Sequence, residues 1–195
     1  MKAQVRTLIE FEFYGVRVRF CFSFFAAAAI MSAVSGDVVL PAMISCFLHE
    51  CGHIAAMVAN GVKLRSIKFY GAGIMMTPRK KLLSPCMEAV VLLAGCAVNF
   101  MLCIFFCGTA FGYINLFLGV FNLLPAGGLD GGRLLSLFLN EAMPCRPEAA
   151  VLICRLAGIL CAAVLLASAV IFRITNPTIY VAGVLMFVSA VIGSN

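Results

Sequence analysis

A chain of 195 residues that is 64% hydrophobic and only 11% charged, with a mean hydropathy of +1.10, is too apolar for a soluble domain. Its net charge of +6 calls for no nucleic-acid partner, because lysines and arginines between apolar runs are what the positive-inside rule places beside a bilayer. The ten cysteines include no C-x-x-C pair, and Cys21, Cys46, Cys96, Cys103, Cys107, Cys154 and Cys161 sit inside apolar runs, which excludes a disulfide scaffold and leaves them as reduced packing residues.

The first nineteen residues mix Lys2, Arg6, Glu10, Glu12, Arg17 and Arg19 with apolar residues, so no cleavable signal peptide is expected and the start reads as mature protein. Residues 9–20 alternate with a period of two on either side of Tyr14-Gly15, which predicts a hairpin. Pairing Phe13 with Val16 sets Glu12 against Arg17 and Glu10 against Arg19, opposite charges on one face and apolar side chains on the other.

Apolar runs follow at roughly 20–35, 38–59, 86–107, 109–125, 150–172 and 177–193, broken at Ser35-Gly36-Asp37, Gly108 and Thr175-Asn176-Pro177. The connection at 60–81 carries Lys63, Arg65, Lys68, Arg79, Lys80 and Lys81, whereas the breaks at 35–37 and 108 carry no Lys or Arg, so the basic connection is expected on the cytoplasmic side. Counting from it places the N-terminus, the 126–148 segment with Arg133 and Arg146, and the C-terminus on that same side, with Arg173 alone against. Residues 62–76, from Val62 through Tyr70-Gly71-Ala72-Gly73 to Met76, predict two short strands that can enter the membrane where protein shields their backbone. The fold class expected is all-α integral membrane: about six transmembrane helices with small β-hairpins at 8–20 and 62–76 on the cytoplasmic side. A single integral domain over 1–195 is expected, with the hairpin at 1–20, a catalytic core at 38–131 and no further domain.

The second run contains His49-Glu50-Cys51-Gly52-His53. On a helix the i, i+4 spacing stacks both imidazoles on one face, where their neutral nitrogens suit Zn²⁺, and Glu50 lies beside the ion as a base. A zinc ion with an open position lowers the pKa of bound water toward about 7, within reach of a carboxylate that can deprotonate it for attack on a carbonyl. Such a pattern does arise by accident, but these are the only two histidines in the chain, and an ionisable group inside an apolar helix is costly unless it has a function.

A catalytic zinc needs a third protein ligand, and Asp130 is the best candidate among few acids. It lies in Asn122-Leu123-Leu124-Pro125-Ala126-Gly127-Gly128-Leu129-Asp130-Gly131-Gly132-Arg133, where proline and glycines permit sharp turns. His49 is about ten residues, or ~15 Å at helical rise, from the basic connection, and residues 126–133 enter from the same face, so the motifs can meet. The bland alternative is a glycine-rich surface turn. In the third run, Leu93-Ala94-Gly95-Cys96-Ala97-Val98-Asn99-Phe100 sets a small residue and an amide one turn apart; close helix packing and support of catalysis explain it equally well.

Taken in order, the His49–His53 motif, the Gly95–Asn99 segment and Asn122 through Pro125 to Asp130-Gly131 resemble the site-2 protease family, the intramembrane metalloproteases of peptidase family M50. The resemblance spans nearly the whole chain. It implies that His49, His53 and Asp130 bind one Zn²⁺ per chain, that Glu50 is the catalytic acid/base and that three central helices form the core. The early hairpin and a cytoplasm-facing site are similar to the branch that includes the sporulation protease stage IV protein FB. The CBS domain common in that branch is not expected after Asn195, nor is an inserted PDZ domain.

The function expected is regulated cleavage of a membrane-spanning or membrane-associated protein in a bacterial plasma membrane, with the active site nearer the cytoplasmic face. The bilayer, that substrate and a regulatory membrane protein are the partners. Asn99 and Asn122 are candidates to steady the oxyanion or the substrate backbone. Two alternatives stand beside this reading. A catalytically inactive metal-binding scaffold is opposed by an intact Glu50 and by a ligand set that leaves a position for water. A metal transporter would need ionisable residues along a path, whereas Asp37, Glu88 and Glu141 lie near the ends of runs.

Overall fold

The computed structural model describes residues 7–70, 73–78, 84–144 and 146–192. Strands β1 (Thr7–Phe13) and β2 (Val16–Cys21) form the expected hairpin. Tyr14 and Gly15 take φ of 49° and 73°, the left-handed pair that a two-residue hairpin turn requires. The register is the one read from the charges: Phe13 pairs with Val16, Glu12 with Arg17 and Glu10 with Arg19. Arg19 Nη2 lies 3.0 Å from Glu10 Oε1.

Helix α1 (Phe22–Ser35), a 3-10 turn at Gly36–Val38 and helix α2 (Val39–Ala59) run out and back. They return the chain to β3 (Leu64–Tyr70) and β4 (Gly73–Pro78). Both expected hairpins are present, and the structure adds that they are joined. β3 lies parallel to β2, with Arg17 opposite Ser66 and Phe20 opposite Phe69, so all four strands form one sheet in the order β1-β2-β3-β4. Parallel neighbours need a crossover connection, and the α1–α2 pair supplies it. The Phe20 and Phe69 rings stack with centroids 4.3 Å apart across that junction, and Phe24 of α1 meets Phe69 edge-on at 5.7 Å. Gly71 and Ala72 of the expected connection, its basic residues Arg79, Lys80 and Lys81, and Lys2, Arg6 and Asn195 lie outside the described residues.

The remaining helices are α3 (Pro85–Phe105), α4 (Ala110–Asn122), α5 (Asp130–Ala142), α6 (Pro147–Ile171) and α7 (Pro177–Ile192). Ser84 caps α3 by accepting from the Met87 amide, with Pro85 in the first turn. Thr109 caps α4 by accepting from the Gly112 amide. Among the described residues three segments are long and apolar enough to cross a membrane: Gly36–Ala59, Pro85–Phe105 and Pro147–Ile171. Of the six runs expected to span, α1, α4 and α7 have 14, 13 and 16 residues and are shorter than a full crossing. Ile104 and Phe105, each 75% exposed, and Ile171 and Phe172 just beyond 70% leave an outer surface that suits lipid, and the chain is a membrane protein.

Helices α2, α3 and α4 pack together, α6 packs on α7, and α5 touches both α3 and α6. The α2–α3 crossing is close because Gly52 has no side chain: a Cβ there would sit 2.8 Å from the Ala94 carbonyl oxygen and 3.1 Å from Gly95 Cα. Helix α5 was not expected, since residues 126–148 read as a cytoplasmic connection. Its first turn packs under the end of α4, which sets the site.

Candidate metal centre

His49 and His53 stand one turn apart on α2, both nearly fully buried, with ring centroids 4.7 Å apart and planes at 86°. They lie about ten and six residues from the sheet end of α2, so the site sits ~9–15 Å inside the helix layer. Asp130 reaches them from the first residue of α5. The glycines that follow it have a steric reason. A Cβ on Gly131 would fall 2.0 Å from the Leu123 carbonyl oxygen, and one on Gly132 2.0 Å from that of Ala126. The start of α5 is thus wedged against the 123–126 backbone, a position only glycine permits. Gly131→Ala is expected to push α5 outward, carry Asp130 from the imidazoles and lower zinc occupancy at least about tenfold, as metal analysis of purified protein will read. Unchanged occupancy would show that the wedge does not set the carboxylate.

His49 Nε2 and His53 Nε2 lie 3.0 and 3.1 Å from Asp130 Oδ2 and 3.0 Å from each other. The opposite ring nitrogens are engaged as well. His49 Nδ1 donates to Asn99 Oδ1, and His53 Nδ1 donates to the Val91 carbonyl oxygen at 2.7 Å. Each neutral ring therefore carries its proton on Nδ1 and turns a bare Nε2 lone pair to one point, the arrangement that outer partners impose on metal-binding histidines. Three lone-pair atoms in mutual contact repel unless a cation or an added proton sits among them. Their edges are slightly shorter than the ~3.3 Å edge of a tetrahedron with metal–ligand bonds of about 2.0–2.1 Å, so the donor set fits Zn²⁺.

The third helix closes the back of this triangle. A Cβ on Gly95 would lie 2.5 Å from His53 Nε2 and 2.7 Å from His49 Nε2, so the glycine keeps the space between the ligand atoms free. Asn99, one turn on, is fully buried and divides its amide between His49 and Asn115, to whose Oδ1 its Nδ2 donates at 2.9 Å. Glu50, half-buried beside His49, makes no hydrogen bond or ion pair among the described residues, and the charges acting on it include His53, His49, Asp130 and Arg133. Asn122, at the end of α4, donates to the Leu118 carbonyl oxygen at 3.0 Å; among the described residues that is its side chain's only hydrogen bond.

Three polar neighbours escaped the sequence reading. Cys96, read as packing, is buried with its sulfur within 4.8 Å of ligand atoms of His49 and Asp130. Asn115 and Ser45 are also fully buried, and Asn115 Nδ2 donates to Ser45 Oγ at 2.9 Å. The available signal was a lone amide or hydroxyl within an apolar run, which in lipid needs a partner.

Comparison with known proteins gives three similarities. The sequence model described as Peptidase family M50 matches residues 108–165, which contain α4 and Asp130 but not the histidines. A protein of Synechocystis sp., named as a candidate zinc metalloprotease, is 32% identical over 102 residues, 45% of this chain. The chain spans only 27% of that relative's length. Among solved structures, the site-2 protease from Methanocaldococcus jannaschii superposes with a TM-score of 0.66 at 23% identity, over 96% of this chain and 95% of that one. The fold is shared.

Proposed function

We propose that this chain belongs to the site-2 protease family, peptidase family M50, and that it is an intramembrane zinc metalloendopeptidase acting on a membrane-spanning or membrane-associated protein; the family-model match over residues 108–165, the relative of Synechocystis sp. and the shared fold support the reading. The observation that carries the reading is the convergence of two Nε2 atoms and one carboxylate oxygen to within 3.1 Å of one another, with both ring protons held on the far side. His49, His53 and Asp130 would hold one zinc per chain. When bound, the ion would polarise the scissile carbonyl and acidify a water.

The protein's part is to position and to move protons. Glu50, without a competing hydrogen bond among the described residues, takes the proton of the attacking water and returns it to the leaving amine. Burial of the ligand triangle between α2, α3 and α5 keeps bulk water out. β4 is an edge strand of the sheet, so its outer backbone can pair with an unwound substrate segment, which frees the scissile bond from its own helix. Asn122, half-buried at the end of α4, is the freer of the two asparagines to meet substrate, since Asn99 has its amide engaged by His49 and Asn115.

The same reading covers topology and place. One integral domain over 1–195 crosses the membrane six times, with α1, α4 and α7 as short or tilted spans. Lys63, Arg65 and Lys68 keep the sheet and the nearer mouth of the site at the cytoplasmic face of a bacterial plasma membrane, with a regulatory membrane protein as a further partner.

Proteoliposomes that hold the protein and a tagged single-span reporter test the class of activity. Cleavage is expected to stop on addition of 1,10-phenanthroline and to return with stoichiometric zinc, while no zinc crosses the membrane. Zinc flux without cleavage would establish a transporter, and bound zinc with neither a scaffold.

A further inference from the structure

Ser45, Asn99 and Asn115 are each 0% exposed, on three helices whose surroundings are apolar, and the chemistry above uses neither Ser45 nor Asn115. They form one chain that ends on the zinc ligand. Asn115 Nδ2 donates to the Phe111 carbonyl oxygen and to Ser45 Oγ, both at 2.9 Å; Asn99 Nδ2 donates to Asn115 Oδ1 at 2.9 Å; His49 Nδ1 donates to Asn99 Oδ1.

The direction of this chain follows from a single peptide group. A backbone carbonyl can only accept, so the Asn115 atom facing Phe111 has to be the amide nitrogen. Its oxygen is then left for Asn99, the Asn99 atom meeting that oxygen has to be a donor, and the Asn99 oxygen turns to His49. The proton of His49 is thereby held on Nδ1. Turned over, Asn99 would offer its NH₂ to Nδ1, favour the proton on Nε2 and cancel the lone pair that a metal needs. His53 requires no such chain, because its Nδ1 donates straight to the Val91 carbonyl.

We propose that Asn115, seated by the Phe111 carbonyl and Ser45, is a positioning residue for the metal centre, fixing the Asn99 amide in the one orientation that keeps His49 a ligand. The inference rests on the zinc reading of the site. Helix α4 thereby acts on the metal through α3, although it supplies no ligand.

The test uses the full chain, purified in detergent and loaded with zinc. Zinc affinity is read by competition with a chromophoric chelator, and the imidazole Nδ1–H signals are read in protein labelled with ¹⁵N-histidine, where two histidines give two separable rings. Asn115→Leu is expected to weaken zinc about 10–100-fold, as loss of an outer partner does, and to broaden the Nδ1–H signal of His49 while that of His53 is unmoved. Asn115→Asp has the shape of Asn and, as the neutral acid, still donates to Phe111 and accepts from Asn99, so it should stay within about threefold of wild type. Wild-type zinc affinity in the Leu variant overturns the proposal, as does equal disturbance of both rings. So does a loss in the Asp variant of about tenfold or more, which decides the matter should the Leu variant not fold. A wild type that binds no zinc overturns the metal reading itself and this inference with it; wild-type zinc with unaltered variants overturns the positioning role alone.

Discussion

A Glu50→Gln chain is expected to bind one zinc as tightly as wild type and to cleave a membrane-bound reporter about 10²–10⁴-fold more slowly. The exchange is nearly isosteric, and among the described residues Glu50 has no hydrogen bond or ion pair to lose, so the fold and the ligand triangle stay as they are. What disappears is a carboxylate able to take a proton next to His49, His53 and Asp130, the groups whose charge it feels. Single-turnover cleavage beside metal analysis of the same preparation separates the two quantities. Full activity with one zinc bound would remove Glu50 from the chemistry. Loss of zinc together with activity would make it a ligand instead.

Gly95→Ala should have the opposite signature, loss of the metal with every candidate ligand still in the sequence. The added methyl would sit 2.5 Å from His53 Nε2, 2.6 Å from His53 Cε1 and 2.7 Å from His49 Nε2, well inside van der Waals contact. Neither ring can retreat cheaply: His49 is tied to Asn99 and His53 to the Val91 carbonyl. Nor can the backbone, because α2 and α3 already cross so closely here that even a Cβ on Gly52 would lie 3.1 Å from Gly95 Cα. The expected result is a folded chain whose zinc affinity falls about 100-fold or more, beyond the usual effect of an outer-shell change because the ligand atoms themselves are displaced. Retained zinc at wild-type affinity would mean that α3 does not back the site as described.

Local patterns carried far in this protein. The period of two and the Glu10–Arg19 and Glu12–Arg17 pairs set the register of β1 on β2, since neighbours in a hairpin are near in sequence as well. The i, i+4 spacing of His49 and His53 needed only a helix. Asp130 could be picked across a long separation because acids are so scarce in the apolar part of the chain. Helix α5 was less legible: its glycine-rich start and mixed composition resemble a connection, although it is an amphipathic helix that packs on α3 and α6.

By itself, then, the sequence determined the apolar surroundings and singled out His49, His53, Glu50 and Asp130 as candidates, because hydrophobic content, helical periodicity and scarcity of charge are properties of the chain read in one dimension. Tertiary structure alone decided that β2 and β3 join both hairpins into one sheet, that Gly95 leaves room between His49 Nε2 and His53 Nε2, and that Asn99, Asn115 and Ser45 are joined by hydrogen bonds. Those facts depend on which helix faces meet, and a lone asparagine or glycine in an apolar run has the same sequence signature whether it meets lipid, a neighbouring helix or a metal ligand.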